Sequence, residues 1–248
     1  MAAFKDHFST RSPCYAAFRP GYPAALFAHL AGLTPGHDLA WDCATGNGQA
    51  ARGVAVHYAR VWATDASAAQ IEAAAPQVGV EYRLASAEAS GLLDQAADLV
   101  TVAQAAHWFD LPAFYAEARR VLKPGGLLAL WCYQRLAIEP ALDAIVEDFY
   151  AGLLDSYWPP ERRLVESGYR GLDFPFAELP APAMTMTAIW TLDQLLGYFS
   201  TWSALKAYQQ ATGHDPLPDL GERLAGAWIS LDGAKTIKWP LSLRLGRP

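Results

Sequence analysis

The stretch WDCATGNGQA, residues 41–50, sets an acid just ahead of two closely spaced glycines. Gly46-Asn47-Gly48-Gln49-Ala50-Ala51 fits GxGxxA, the spacing of a turn that leads from a strand into a helix and brings backbone N–H groups up to a nucleotide-like ligand. Two guests compete for such a turn. A dinucleotide lays its pyrophosphate on the helix N-terminus, where unpaired N–H groups attract an anion. Asp42 opposes that guest from the mouth of the turn: a like-charge pair at about 5 Å and an effective dielectric of about 20 costs about 3 kcal/mol. S-adenosylmethionine has no phosphate and carries an ammonium and a sulfonium, so the same acid favours it.

Other residues able to do chemistry follow at intervals. Asp65 closes the run RVWATD, where an acid can accept from the ribose hydroxyls of either guest. His107, within AAHWFD, is the candidate base. It can equally be a donor that orients an acceptor, or a ring tied into its own turn. Trp108 beside it can wall a pocket with its ring face. Arg19 can grip a carboxylate bidentately, with Tyr15 on the same N-terminal segment, read here as a helix folding over the cofactor. Cys14, Cys43 and Cys132 lack zinc-ligand spacing and read as small core fillers.

These groups need a scaffold that gathers them at one edge, and the pattern supplies it. Short apolar runs at 38–44, 60–65, 80–86, 97–105 and 127–133 read as strands, and helical patterns at 49–57, 66–75 and 110–122 separate them. That alternation implies a doubly wound, mostly parallel sheet with helices on both faces and ligands beyond the carboxyl ends of its strands. After residue 133 the texture changes. A helix at 140–153 is followed by proline-broken stretches, a strand at 184–189, a helix opened by a Thr191/Gln194 capping box, and another helix at 217–230. The closing run alternates polar with apolar residues as an antiparallel strand does, with Pro240 marking an edge or bulge. The expected organisation is one domain over 1–248: an N-terminal helical segment (1–36), a cofactor core (37–137), a helical cap (138–232) and a C-terminal strand (233–248).

With 52% hydrophobic and 18% charged residues the chain can build a large core. Its net charge of −6, with no basic stripe, argues against nucleic acid as partner. Lys5, Asp6, His7 and Arg11 break any signal-peptide apolar run, and no run approaches a membrane span. The expectation is a cytoplasmic protein acting on a small molecule, with no metal.

The stretches YAAFRPGYP (15–23), LAWDCATGNGQAA (39–51), VWATDAS (61–67), DLVTVAQAAHWFD (98–110), LKPGGLLALW (122–131) and LLGYFSTWSA (195–204) together resemble a class I S-adenosylmethionine-dependent methyltransferase. More narrowly, they resemble the type 11 branch that includes trans-aconitate methyltransferases and their plant and fungal relatives. The resemblance implies a seven-stranded Rossmann-like sheet and S-adenosylmethionine as cofactor. It places Asp42, Gly46 and Gly48 at the methionine part, Asp65 and Ala66 at the ribose, and Ser86, Ala87 and Glu88 at the adenine. Ala103 and Gln104 fall beside the sulfonium, and Tyr15 and Arg19 close over the cofactor. Two positions depart from the family pattern. Ala44 stands where the first glycine is usual, which disfavours a positive φ and is expected to alter the loop slightly. Ser86 replaces a frequent acid. Tyr22, His107, Trp108, Trp131 and Trp202 are the candidates for the acceptor wall. Two alternatives stay open: an NAD(P)-dependent oxidoreductase using the GxGxxA loop, and a cofactor-binding scaffold without catalysis.

Overall fold

The computed structural model describes residues 18–230 and 232–248; Tyr15 lies outside them. Eight strands are present among the described residues: β1 (Leu39–Cys43), β2 (Arg60–Asp65), β3 (Val80–Leu84), β4 (Ala97–Ala103), β5 (Leu122–Tyr133), β6 (Ala177–Leu179), β7 (Met184–Thr191) and β8 (Ala234–Arg247). They form one sheet in the order β3-β2-β1-β4-β5-β8-β6, with β7 also on β8. The first five strands are parallel, and β8 enters antiparallel beside β5. The helices are α1 (Ala24–Gly32), α2 (Gln49–Val54), α3 (Ala68–Glu72), α4 (Leu111–Val121), α5 (Pro140–Glu147), α6 (Arg162–Glu166), α7 (Leu192–Ser200), α8 (Ser203–Thr212) and α9 (Leu217–Ala227).

The mixed α/β class and the doubly wound sheet agree with the sequence reading, but the strand count is eight where seven were expected. Both β6 and β7 pair with β8, at residues 245–247 and 234–241 respectively. Pro180 and Pro182 stand between them, and proline has no N–H to give a ladder. The extra strand is therefore a seventh strand cut in two. Pro240 is not on an edge, because β8 is paired on both sides. Its carbonyl accepts from the Gln134 N–H (2.9 Å), just past the end of β5, so its missing donor falls where that ladder stops. The helix expected over 140–153 turns into a π-helix at Asp148–Leu153, and the sequence reading missed α6 and α8.

Alternation along the central strands builds a core on each face. Leu99, Leu127, Ala129 and Trp131 pack with α1 and α2 on one side. Val100, Val102, Leu128 and Leu130 pack with Phe114, Ala118 and Val121 of α4 on the other. Asp110 caps α4 by accepting from the Ala113 N–H, as its position implies, and Thr191 and Gln194 close the reciprocal capping box of α7. Gly53 lets α2 approach α1, since a Cβ there would stand 2.1 Å from the Phe27 ring.

At the opposite edge from the glycine turn, buried Asp98 ties three strands together. Its carboxylate accepts from the N–H groups of Asp38 (2.9 Å) and Leu39 (3.1 Å) and from Lys123 Nζ (2.9 Å). Removing it leaves donors stranded at the starts of β1 and β5. Asp98→Ala is expected to lower the unfolding free energy by about 1–3 kcal/mol, read from urea denaturation, because the N–H groups of Asp38 and Leu39 lose their acceptor while half-exposed Lys123 can turn to water.

Candidate active site

The carboxyl ends of β1, β2, β3 and β4 bring the predicted cofactor residues to one crevice. Cys43 leads into the turn Ala44–Gly48, after which α2 begins. Gly46 (φ +56°) and Gly48 (φ +85°) are left-handed, as the turn requires. A Cβ on Gly48 would lie 2.2 Å from the Tyr82 hydroxyl, so glycine is obligatory there. A Cβ on Gly46 would meet only Gln70, at 3.7 Å, which leaves room in front of the turn.

Ala44 adopts φ +55°, the conformation a glycine would take. The expectation of an altered loop is thus corrected: the backbone path is kept, and alanine bears strain of about 1–2 kcal/mol instead. Gln104 does the same at the end of β4, with φ +57°. Its N–H donates to the Trp131 carbonyl (2.8 Å) and its Oε1 accepts from the Tyr133 N–H (2.8 Å), which holds the strained residue on β5.

Asp42 is not at the mouth of the turn. It lies beneath it with no exposed surface, accepting from the hydroxyls of Thr45 (2.6 Å) and Thr101 (2.7 Å). It acts on a guest through its field, not by contact. Burial pushes its pKa up to about 6, against the two hydroxyl bonds, and nearby Asp65 pushes the same way. No cation pairs with it among the described residues. Asp65 accepts from the N–H groups of Gly46 and Ser67, both at 2.9 Å, and so joins the turn to the end of β2. Ala66 follows it, half-buried, and Ser86, Ala87 and Glu88 form the half-buried segment after β3. The Cys43 thiol registers the sum: burial raises its pKa most, and Asp42, Glu88 and Asp65 each raise it further. The crevice is anionic.

His107 lies in a short 3-10 turn, Ala106–Trp108, directly after β4, with its ring 4.6 Å from that of Trp108. Burial, and next the charge of Arg162, push its pKa down to about 3. A ring so held is a weak base, which among the readings of His107 favours a donor or a structural ring over a base. Arg19 precedes α1 in a turn rather than riding on a helix. Its guanidinium bonds the Tyr133 hydroxyl and stacks over Tyr198 of α7, 5.2 Å from the ring centre. Trp131 is fully buried against Tyr22 and Phe27 and belongs to the core, not to an acceptor wall. Trp202 packs on Phe149, Trp158 and Phe199 but does reach a cavity.

That cavity, about 340 Å³, opens at Gln134 beyond the end of β5 and runs under the cap. Tyr150, Arg162, Tyr198 and Trp202 line it, with Arg135 and Glu147 paired at its rim. The π-helix turns the consecutive residues Phe149 and Tyr150 both inward. Arg162 was missed from sequence, as were Tyr150 and the fully buried Tyr169, whose hydroxyl meets His107 Nδ1 at 2.9 Å. Arg162 Nε donates to the Tyr150 hydroxyl (2.7 Å), and the guanidinium lies 4.9 Å from the centre of the Trp158 ring. No carboxylate forms an ion pair with it among the described residues. The only signal for Arg162 was the pairing of Trp158 and two prolines with a double arginine in YWPPERR.

The methyltransferase domain family matches residues 41–130, which span this crevice. A provisionally named methyltransferase of Dictyostelium discoideum is 36% identical over 93% of this chain and 89% of its own length. The solved structure of a provisionally named type II methyltransferase from Anaeromyxobacter dehalogenans is 44% identical, covers 92% of this chain and 97% of its own, and superposes with a TM-score of 0.88. The chain belongs to the class I S-adenosylmethionine-dependent methyltransferases. A Bacillus halodurans structure at 22% identity, covering 92% of this chain and 100% of its own with a TM-score of 0.50, shares the fold. Family membership favours neither a nicotinamide-dependent oxidoreductase nor a non-catalytic scaffold.

The methyltransferase crevice fits its cofactor on its own geometry. The space before Gly46 admits a guest, and the surrounding acids match a cation and would repel a pyrophosphate. Relieving the Ala44 strain should register in stability. Ala44→Gly gains about 1–2 kcal/mol of backbone strain and loses about 0.5–1 kcal/mol to the freer unfolded chain. The expected outcome is a net gain between zero and about 1.5 kcal/mol in urea denaturation.

Proposed function

We propose that this methyltransferase transfers the methyl group to an oxygen of a small organic acid, as its resemblance to the trans-aconitate methyltransferase branch implies. The observation that carries this reading is Arg162. It lines the cavity with Tyr150, Tyr198 and Trp202, acts by its charge on His107, is held by two aromatic rings, and has no ion-pair partner among the described residues. A guanidinium so placed is suited to a carboxylate, which it can meet with two parallel hydrogen bonds.

When bound, S-adenosylmethionine supplies an electrophilic methyl group on sulfur. The turn Ala44–Gly48 and Asp65 would hold it, Ser86, Ala87 and Glu88 would border the adenine, and Ala103 and Gln104 would lie nearest the sulfonium. Arg162 would orient the acceptor along the line of displacement, while Trp108 and Trp202 exclude water. A carboxylate is already anionic and needs no base. That agrees with His107, whose low pKa makes it a poor one.

Two measurements test this reading. Arg162→Gln should raise KM for carboxylate acceptors about 10- to 100-fold, the loss of one or two charge-assisted hydrogen bonds, with an unchanged cofactor Kd. Equal KM values in the two proteins would end the carboxylate assignment.

The second is a pH dependence. Asp42 has a pKa of about 6 when folded, against its ordinary 3.8. The folded state therefore holds the extra proton between those values, and ligand-free stability rises as pH falls from 7 toward 4, by up to about 3 kcal/mol. Cofactor affinity runs the other way: it weakens as pH falls through about 6, because protonation removes the charge that attracts the cation. Asp42→Asn should raise stability at pH 7, weaken S-adenosylmethionine and flatten both profiles. Calorimetric titration and thermal melts across the range check each part.

A further inference from the structure

Tyr169 is buried to zero exposure in the segment after α6, part of the cap, yet its hydroxyl reaches the end of β4. Gly168 and Tyr169 are both left-handed, with φ +64° and +62°. A tyrosine in that conformation is strained by about 1–3 kcal/mol and persists only where its surroundings hold it. Here they do. The Tyr169 N–H donates to the Leu164 carbonyl (2.8 Å), its carbonyl accepts from Arg244 of β8 (3.1 Å), and a Cβ on Gly168 would fall 2.4 Å from Ser242 Oγ. The strain serves one contact, between the phenol oxygen and His107 Nδ1.

That oxygen has two lone pairs and one proton. Tyr169 is fully buried, and His107 Nδ1 is the partner its hydroxyl has among the described residues. A hydroxyl that accepted there would leave its own proton buried without an acceptor, so the phenol donates and Nδ1 accepts. A neutral imidazole that accepts at Nδ1 carries its own proton on Nε2. We propose that Tyr169 is a positioning residue that locks His107 as the Nε2–H tautomer, so that His107 donates a hydrogen bond to the methyl acceptor instead of removing a proton from it. The donor's target rests on the small-acid reading above; the tautomer does not.

The groups around the ring keep it neutral. Arg162 of α6 is the charged group acting on it, and its sign opposes protonation. Tyr169 is the titratable group in contact, with Cys132 of β5 and Tyr22 next to it in turn. In the transfer itself, an acceptor oxygen forms the new bond to carbon, the carbon–sulfur bond breaks, and its electron pair neutralises the sulfonium. No proton moves, and a donor at Nε2 only steers the oxygen.

The full-length protein, labelled with 15N-histidine and free of acceptor, gives the decisive spectrum: long-range proton–nitrogen correlations report which ring nitrogen carries hydrogen. The His107 signals are those lost in His107→Gln. The expected result is hydrogen on Nε2, none on Nδ1, and no titration between about pH 8 and 5, outside the range of an ordinary histidine. In Tyr169→Phe hydrogen should appear on Nδ1 as well as Nε2, while burial and Arg162 still keep the ring neutral. An Nδ1–H tautomer in the unaltered protein, or a ring that titrates near neutrality, overturns the proposal whether or not the tyrosine variant folds. For the donor role, His107→Gln, which keeps an N–H near the Nε2 position, should retain turnover with organic acids within about tenfold, while His107→Ala loses about a hundredfold. Equal loss in the two overturns that role and leaves the tautomer and the methyltransferase assignment standing.

Discussion

One carboxylate governs the cofactor side of this molecule. Asp42 sits in the middle of the sheet, under the glycine turn, with two threonine hydroxyls and, among the described residues, no cation to compensate it. A charge so placed is unfavourable in the empty protein, which its raised pKa records. It becomes useful when a cation arrives, because low dielectric strengthens the attraction that solvent would screen. Asp65 and Glu88 add to the same field. Charge buried in the scaffold thus favours a sulfonium over a pyrophosphate at this crevice, and the left-handed turn adds the room in front of Gly46.

This geometry also revises the electrostatic argument that sequence allows. Sequence places the acid two residues before Ala44 and invites a picture of direct contact. In the sheet, alternation along β1 sends Trp41 and Cys43 to one face and leaves Asp42 facing Thr101 of β4, its register partner. The sign of the argument survives and its route changes, from contact to field. Similarly, Ala44 was legible as a departure from glycine, but its φ of +55° was not. Whether a substitution bends a loop or is forced to comply depends on the neighbours. Here the Thr45 N–H is held by the Thr64 carbonyl and that of Gly46 by Asp65.

Legibility falls from the core to the cap for a physical reason. Strands β1, β2, β4 and β5 and helix α4 are buried on predictable faces, so period and caps announce them. The cap is held by ring-on-ring and ring-on-cation contacts among Phe149, Tyr150, Trp158, Tyr198, Phe199 and Trp202. Such contacts join residues from two helices and two connecting segments and carry no sequence period. A π-turn shifts the helical phase within the region, so periodicity would have turned Tyr150 the wrong way. Arg162 and Tyr169 lie in and after a five-residue helix, too short to show a pattern. The placement of the proposed cofactor residues at the strand ends could be read from sequence because the sheet determines it. The acceptor half could not, because aromatic packing does.

Backbone strain divides along the same line. Three of the four non-glycine residues with positive φ among the described residues are Ala44, Gln104 and Tyr169, and all three border the crevice or hold a residue that does. Each is pinned from a different strand: Ala44 by the turn's bonds to β2, Gln104 by β5, Tyr169 by β8. Left-handed conformations at three such points cost several kcal/mol together, a large share of what a domain of this kind has to spare. They persist because the sheet on either side is buried and fully paired. The antiparallel β8 matters here beyond closing the sheet: it carries Arg244 and Ser242, which hold the Gly168–Tyr169 segment of the cap against the end of β4. Without that strand the tyrosine would relax, and the histidine at the crevice would lose its fixed orientation. The cap and the cofactor core are therefore one mechanical unit, joined at the Tyr169–His107 contact.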